Sequence, residues 1–288
     1  MPNEVTIQSG PLRAYFRPEI GGRLTRLSHE AFGEIVVPFT DSNFDPLDWP
    51  KAGAFPLLPY HGRLSGARLT YDEQLLQLVP NPFRDGDSMH GPAQRRPWHV
   101  GEKTRETVEF ILDYQADEEW PWNFRAHQRF RITGDRLDLQ LLLTNVGSAA
   151  MPAGLGWHPY FLAPTDAHLS CDAPTLWPSA SEMGLNDSRL RQRAPTEPLP
   201  DRPFTQQVSD WSYATLASKI GEVGIRRVHG LSHLVLHRTS TYVCLEPVSH
   251  VGGALGLSGE LARRSGLLTL QPGQSLSGSI SVVALSDL

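Results

Sequence analysis

The sequence predicts an all-β protein over residues 1–288, long enough for one large domain or two small ones with nothing that forces two, and three observations carry the β expectation. Apolar and polar residues alternate at period two in a series of short runs, most clearly in the middle third. No sustained 3.6-residue period marks a long helix, and no repeat of about 20 to 50 residues recurs. In the middle third, Phe124, Ala126, Gln128, Phe130 and Ile132 share one face. After Gly134-Asp135, Leu137, Leu139, Leu141 and Leu143 alternate again, which describes a hairpin with one face buried.

The elements follow in order. Val5-Thr6-Ile7 and Leu12 to Phe16 are short strands broken by Ser9-Gly10-Pro11; Arg23 to Leu27 alternates next, and Ile35-Val36-Val37-Pro38 reads as another strand. Asp41 to Lys51 reads as loop. Leu69-Thr70-Tyr71 and Gln74 to Leu78 form a hairpin across Asp72-Glu73, and Asn81 to Trp98 is a Gly- and Pro-rich connection. After the central hairpin, Ala163 to Asp201 is a loop-rich crossing anchored by Leu176-Trp177-Pro178. Strands resume at Ile225, Leu231 to His237 and Thr241 to Leu245, Ser258 to Gly266 holds one helical turn, and Leu267 to Leu270 with Ser275 to Ala284 closes the sheet.

Composition excludes several function classes. At 288 residues and 40% hydrophobic, the chain can bury a substantial core. A net charge of -5 without runs of Lys or Arg argues against a grip on nucleic acid or an anionic membrane surface. No stretch approaches the ~20 apolar residues of a bilayer span. Two cysteines, Cys171 and Cys244, are too few for a disulfide framework, and the first thirty residues lack a charged-then-apolar leader. The expectation is a cytoplasmic protein with free thiols, a small or neutral partner, and a monomeric or homodimeric state.

Chemistry concentrates in a few stretches. In Gly154-Leu155-Gly156-Trp157-His158-Pro159-Tyr160-Phe161, glycines and a proline frame an imidazole among three large rings, the material of a small concave pocket. The alternative is a rigid strand end with a satisfied histidine. Tyr60-His61-Gly62-Arg63 offers His61 and an arginine fork on a stiff loop, or a surface salt bridge. Met89-His90-Gly91 lies in the long connection, where binding groups tend to sit, and Arg95 and Arg96 after it are either solvated charges or a phosphate grip. Glu246, after strand residues and before Pro247, is placed at a sheet edge, half buried, where desolvation raises a carboxyl pKa toward a useful base; it could equally cap a loop. His229, His233 and His237 stand four apart, but strand surroundings leave only His233 and His237 on a common face, so no metal is expected there.

Taken together, these motifs resemble the aldose 1-epimerase (galactose mutarotase-like) family. The resemblance is carried by Phe55-Pro56-Leu57-Leu58-Pro59, Gly62-Arg63, Met89-His90-Gly91, Trp120-Pro121-Trp122, Pro152 to Gly156, His158-Pro159-Tyr160-Phe161, Glu246-Pro247-Val248-Ser249-His250 and Leu270-Gln271-Pro272-Gly273, in that order from about Gly21 onward. It implies a large antiparallel β-supersandwich with few short helices, and an isomerase interconverting the α and β anomers of a hexose. By the resemblance Glu246 is the base, His158 the acid, and Arg63, His90 and Asp201 bind the sugar, with no cofactor and no metal.

Three departures stand out. Gly62 occupies a position where the family usually has asparagine. The sugar-binding aspartate best matches Asp201-Arg202-Pro203-Phe204-Thr205, with Asp210-Trp211 competing. After the Glu246 motif the chain has Gly253-Ala254-Leu255 where the family often has Asp-Ala-Asn. Two other readings accompany the neutral-hexose one: a hexose-6-phosphate 1-epimerase with Arg95 or Arg96 on the phosphate, and a non-catalytic sugar-binding module or a metal centre on His90, His158 and Glu246.

Overall fold

The predicted central hairpin forms as strands Phe124–Thr133 and Arg136–Asn145, turning through Gly134. Its period-two pattern buries Phe124, Ala126, Gln128, Phe130 and Ile132 completely on one face. The computed structural model describes residues 4–40, 44–178, 191–192, 199–257 and 259–285. Among these residues the hairpin sits inside an eight-stranded antiparallel sheet, flanked by Thr107–Tyr114 on one side and Ser275–Leu285 on the other.

A second, eleven-stranded sheet begins with Val5–Ser9, Leu12–Arg17 and Arg23–His29. It continues through Ala54–Pro56, Trp157–Leu162, Tyr242–Val248, His233–Arg238 and Phe204–Ser209. The two sheets close on one apolar layer: the Phe16 ring lies 5.3 Å from Phe110 and 4.7 Å from Phe130, and Phe130 lies 6.4 Å from Trp157. Each fully buried aromatic of this layer contributes about 2 to 3 kcal/mol through removal from water. The expected all-β sandwich with few short helices is the fold observed; the helical turn expected near residue 260 is Gly259–Arg264. No helix among the described residues is long and apolar enough to cross a membrane.

Three local expectations are corrected. Ile35 to Pro38 forms no strand: Val36 makes one isolated bridge to Phe161, and Val37 donates to the Tyr160 carbonyl at 2.8 Å before Pro38, which has no N–H, follows. Leu268–Leu270 joins neither large sheet but pairs with Met151–Ala153. Glu246 is not at a sheet edge. Its strand, Tyr242–Val248, runs on through Pro247 in the interior of the eleven-stranded sheet, where the residue is only 5% exposed.

Candidate functional site

The interior of that sheet carries a local defect which the sequence imposes. Trp157–Leu162 and Tyr242–Val248 pair at Tyr160↔Cys244, and the same register recurs at the bridge Gly156↔Val248. Carried between those points, it sets His158 directly opposite Glu246. Pro159 and Pro247 flank the two positions and have no N–H to donate, so the ladder is open there while the side chains still share one face. His158 Nε2 and Glu246 Oε1 lie 3.4 Å apart.

The imidazole is held from three sides. Its other neighbour across the sheet is Phe55, with ring centres 4.9 Å apart, and Tyr160 stacks on it at 4.6 Å with planes 17° apart. Tyr160 is fixed in turn by its hydroxyl, which accepts from Trp49 Nε1 at 3.1 Å. His90 stands perpendicular to His158, with ring centres 5.4 Å apart.

His90 comes from the turn after the pairing Arg63↔Met89. Its N–H donates to the Gly62 carbonyl at 3.0 Å, and the Gly62 N–H donates to its Nδ1 at 3.1 Å. Nδ1 is therefore an acceptor, the ring is neutral, and Nε2–H is left as the donor. Gly62 has φ +77°, and a Cβ there would lie 2.9 Å from the Gly252 Cα, so the turn has no room for a side chain at this position.

These groups line one cleft of about 600 Å³. Arg63, His61 and His90 stand on its wall with His158 and Glu246. Arg63 Nη1 donates to Asp87 Oδ2 at 2.9 Å, so the loop arginine is both a cleft residue and one half of a salt bridge. His61 donates from Nε2 to the His250 carbonyl at 2.6 Å, a structural tie that fixes the turn.

Asp201 is a correction. Its side chain is 78% exposed, its near partner is Arg238 Nη1 at 3.9 Å, and it does not line the cleft. The competing Asp210 is spent on Thr175 Oγ1 at 3.1 Å and Ser209 Oγ at 3.0 Å. The strand that begins at Phe204 instead presents Thr205 and Gln207 to the cleft. Arg95 and Arg96 are likewise elsewhere, bound to Glu119 and Asp117.

Sequence reasoning missed Trp49, Lys51, Arg84 and Tyr242, which also line the cleft. Trp49, Lys51 and Arg84 lie in aperiodic connections, where no hydrophobic pattern marks an inward residue. The signal available was local: a lone tryptophan in a polar loop needs something to cover.

Burial governs the electrostatics of the pair. It pushes the Glu246 carboxyl up to about 8. It pushes the His158 imidazole well below its usual range, with His90 and Lys51 adding to the effect. Both shifts run the same way, favouring a protonated carboxyl beside a neutral imidazole over an ion pair at their 3.4 Å separation.

The donors of His158, Cys244 and Glu246 fall within 4.8 Å of one another. Burial pushes the Cys244 thiol well above its usual range, and metal ligation requires thiolate and carboxylate. His90 is not in this group, so the triad His90, His158 and Glu246 is not assembled as a ligand set.

The family model for aldose 1-epimerase matches residues 4–236, a stretch containing Arg63, His90 and His158 and stopping short of Glu246. Among curated proteins, YphB of Escherichia coli (strain K12), uncharacterized, is 29% identical over 126 residues, 44% of this chain and 42% of its own. YihR of the same organism, also uncharacterized, is 23% identical over 157 residues, 49% of this chain and 51% of its own. The chain thus spans about half the length of the curated relatives it matches.

Among solved structures, a galactose mutarotase-like protein from Clostridium acetobutylicum superposes with TM-score 0.84 at 18% identity, covering 98% of this chain and 94% of that one. Galactose 1-epimerase from Lactobacillus acidophilus NCFM superposes with TM-score 0.71 at 13% identity, with coverage of 98% and 94%. At such identities the likeness is one of fold.

Proposed function

The chain belongs to the aldose 1-epimerase family, and from that premise we propose that it interconverts the α and β anomers of an aldose, with Glu246 and His158 as the proton-transfer pair. The observation that carries this reading is the 3.4 Å approach of a carboxyl and an imidazole, both buried, in a cleft of about 600 Å³. A pyranose fits such a volume.

The reaction needs only protons to move. A base takes the proton of the C1 hydroxyl, the C1–O5 bond breaks as the C1=O bond forms, and an acid delivers a proton to O5. Rotation about C1–C2 then exposes the other face of the aldehyde, and the O5 hydroxyl adds back with both transfers reversed. Glu246 serves as base and His158 as acid in opening, and they exchange roles in closing. Opening places one proton on Glu246 and removes one from His158, so the pair's proton count is the same at every stage. The form that burial favours, carboxylic acid beside neutral imidazole, is the form the pair has when the sugar is open. His90, fixed through Nδ1, offers its remaining N–H to a sugar oxygen, and Arg63 offers its guanidinium.

Polarimetry of freshly dissolved glucose or galactose tests the reading. E246Q and H158N should each lose a factor of about 10² to 10⁴ in turnover while still folding. Full activity in either variant would end it, and so would sugar binding by the wild type without anomer exchange.

A further inference from the structure

One row of side chains crosses the floor of the cleft. Gln207 pairs with Val235 and Val235 with Glu246, and the register described above carries Glu246 to His158. Residues directly opposite one another project to one face, so these four all line the cleft, with about 4.8 Å from each strand to the next. Gln207 thus stands two strands beyond Glu246, on the side away from His158. It is buried, and its amide is fixed: the Gly252 N–H donates to Oε1 at 2.6 Å, and a backbone N–H can only donate. Nε2 is therefore the free end. Among the described residues it has no protein partner, yet it is not sealed off as the indole nitrogens of Trp157 and Trp177 are, so it opens onto the cleft. Its neighbours differ. Gln206 donates from Nε2 to the carbonyls of Trp177 and Gln207, and Thr205 Oγ1 is tied to His237 Nδ1 at 2.7 Å.

We infer that Gln207 determines specificity by donating a hydrogen bond to an oxygen on the C2–C3 edge of the sugar ring. This rests on the epimerase reading and names what its substrate must present there. With His158 at O5 and Glu246 at O1, the row runs from the ring oxygen past C1, and the next two carbons lie toward Val235 and Gln207. The group that meets Nε2 has to accept. A hydroxyl does so and a hydrogen does not, so an aldose deoxygenated at the contacted carbon leaves a buried N–H without a partner. A carboxylate in the place of this amide would make the opposite demand and select a donor.

Q207E is the informative variant, because glutamate can still accept from Gly252 through one oxygen and changes only the free end, from donor to acceptor. Enzyme-dependent anomer exchange, measured by exchange NMR over the uncatalysed rate, should give a kcat/KM for glucose and galactose about fivefold or more lower in Q207E than in the wild type, through KM. For 2-deoxyglucose or 3-deoxyglucose, whichever lacks the contacted oxygen, the difference between the two proteins should shrink below about twofold; comparing proteins on one sugar cancels that sugar's own reactivity. A measurement on the wild type alone covers a variant that fails to fold. 1,5-Anhydroglucitol has no C1 hydroxyl and cannot open, so it should inhibit glucose exchange competitively. Replacing its contacted hydroxyl by hydrogen should weaken inhibition about fivefold, and replacing it by fluorine, which accepts but cannot donate, should weaken it less. Q207E as active as the wild type on glucose and galactose overturns the inference while leaving the epimerase reading intact. So does an equal loss on every sugar, or fluorine no better than hydrogen at both carbons. Exchange by the wild type on none of these sugars overturns the epimerase reading itself, and this inference with it.

Discussion

Replacing Glu246 by glutamine should make the protein more stable, and increasingly so as the pH rises. Burial raises the carboxyl from its ordinary value of 4.5 to about 8. A group whose folded-state pKa is raised contributes stability that is complete below the unfolded value and is lost as the pH climbs through the folded one. At about 1.4 kcal/mol per unit, ionising Glu246 inside the fold costs roughly 3 to 5 kcal/mol once the pH exceeds about 8. Glutamine has the same shape and no charge to bury, so E246Q escapes that loss. His158, held neutral in the fold, contributes the opposite slope below its unfolded value, but it does so in both proteins and drops out of the difference. Thermal or urea melts of both proteins between pH 4 and pH 9 provide the measurement. The melting temperatures should nearly coincide at pH 4, separate as the pH rises above about 4.5, and differ most at pH 9, where E246Q should melt higher by roughly 5 to 10 °C. A difference independent of pH, or a less stable variant at pH 9, would refute the claim that burial alone shifts this carboxyl.

Other expectations follow from the same geometry. The pH profile of kcat/KM should be flat from well below pH 6.5 to about pH 8 and fall above it, because the pair then loses the one proton it holds and with it the acid; stopped-flow or exchange NMR across pH 5 to 10 reads this directly. Y160F leaves the Trp49 indole N–H without its acceptor in a buried site and should cost about 1 to 3 kcal/mol in denaturant unfolding. G91A should unfold or lose His90 from the cleft, since φ is +64° and a Cβ would lie 2.1 Å from the Leu58 carbonyl oxygen; circular dichroism and sugar affinity separate the two effects. Treatment with a chelator should leave anomer exchange unchanged, and stoichiometric zinc or iron lost together with activity would replace the proton-pair mechanism.

Much of the fold was legible because period two is a direct imprint of a half-buried strand. Phe124 to Leu143 declared its hairpin, buried face and turn without help. Asp72-Glu73 likewise turned where the alternation broke, both residues adopting positive φ. Ile35 to Pro38 misled because β-branched residues satisfy a strand pattern whether or not a partner offers more than one bridge.

At the site, His158 and Glu246 were recognisable from their glycine and proline frames, but their meeting was not. It depends on register between strands some eighty residues apart, which no local pattern encodes. Glu246 seemed to mark an edge because proline usually ends a ladder; here Pro247 faces a gap that Pro159 also leaves, and the strand continues. Asp201 was placed by motif alone, and a loop aspartate next to an arginine has no physical reason to turn inward. Lys51 and Arg84 could not be read at all, because charge on an irregular loop looks the same whether it faces solvent or a ligand.

That shared gap in the ladder fixes the spacing of acid and base by the distance between neighbouring strands of a rigid lamina, whereas Trp49, Lys51, Arg63 and Arg84 arrive on connections or short outlying pairs. On the proposed reading, proton transfer and much of sugar recognition are thereby carried by parts with separate freedom to vary, and exchanging a connecting segment should change the sugar accepted without disturbing the spacing of His158 and Glu246.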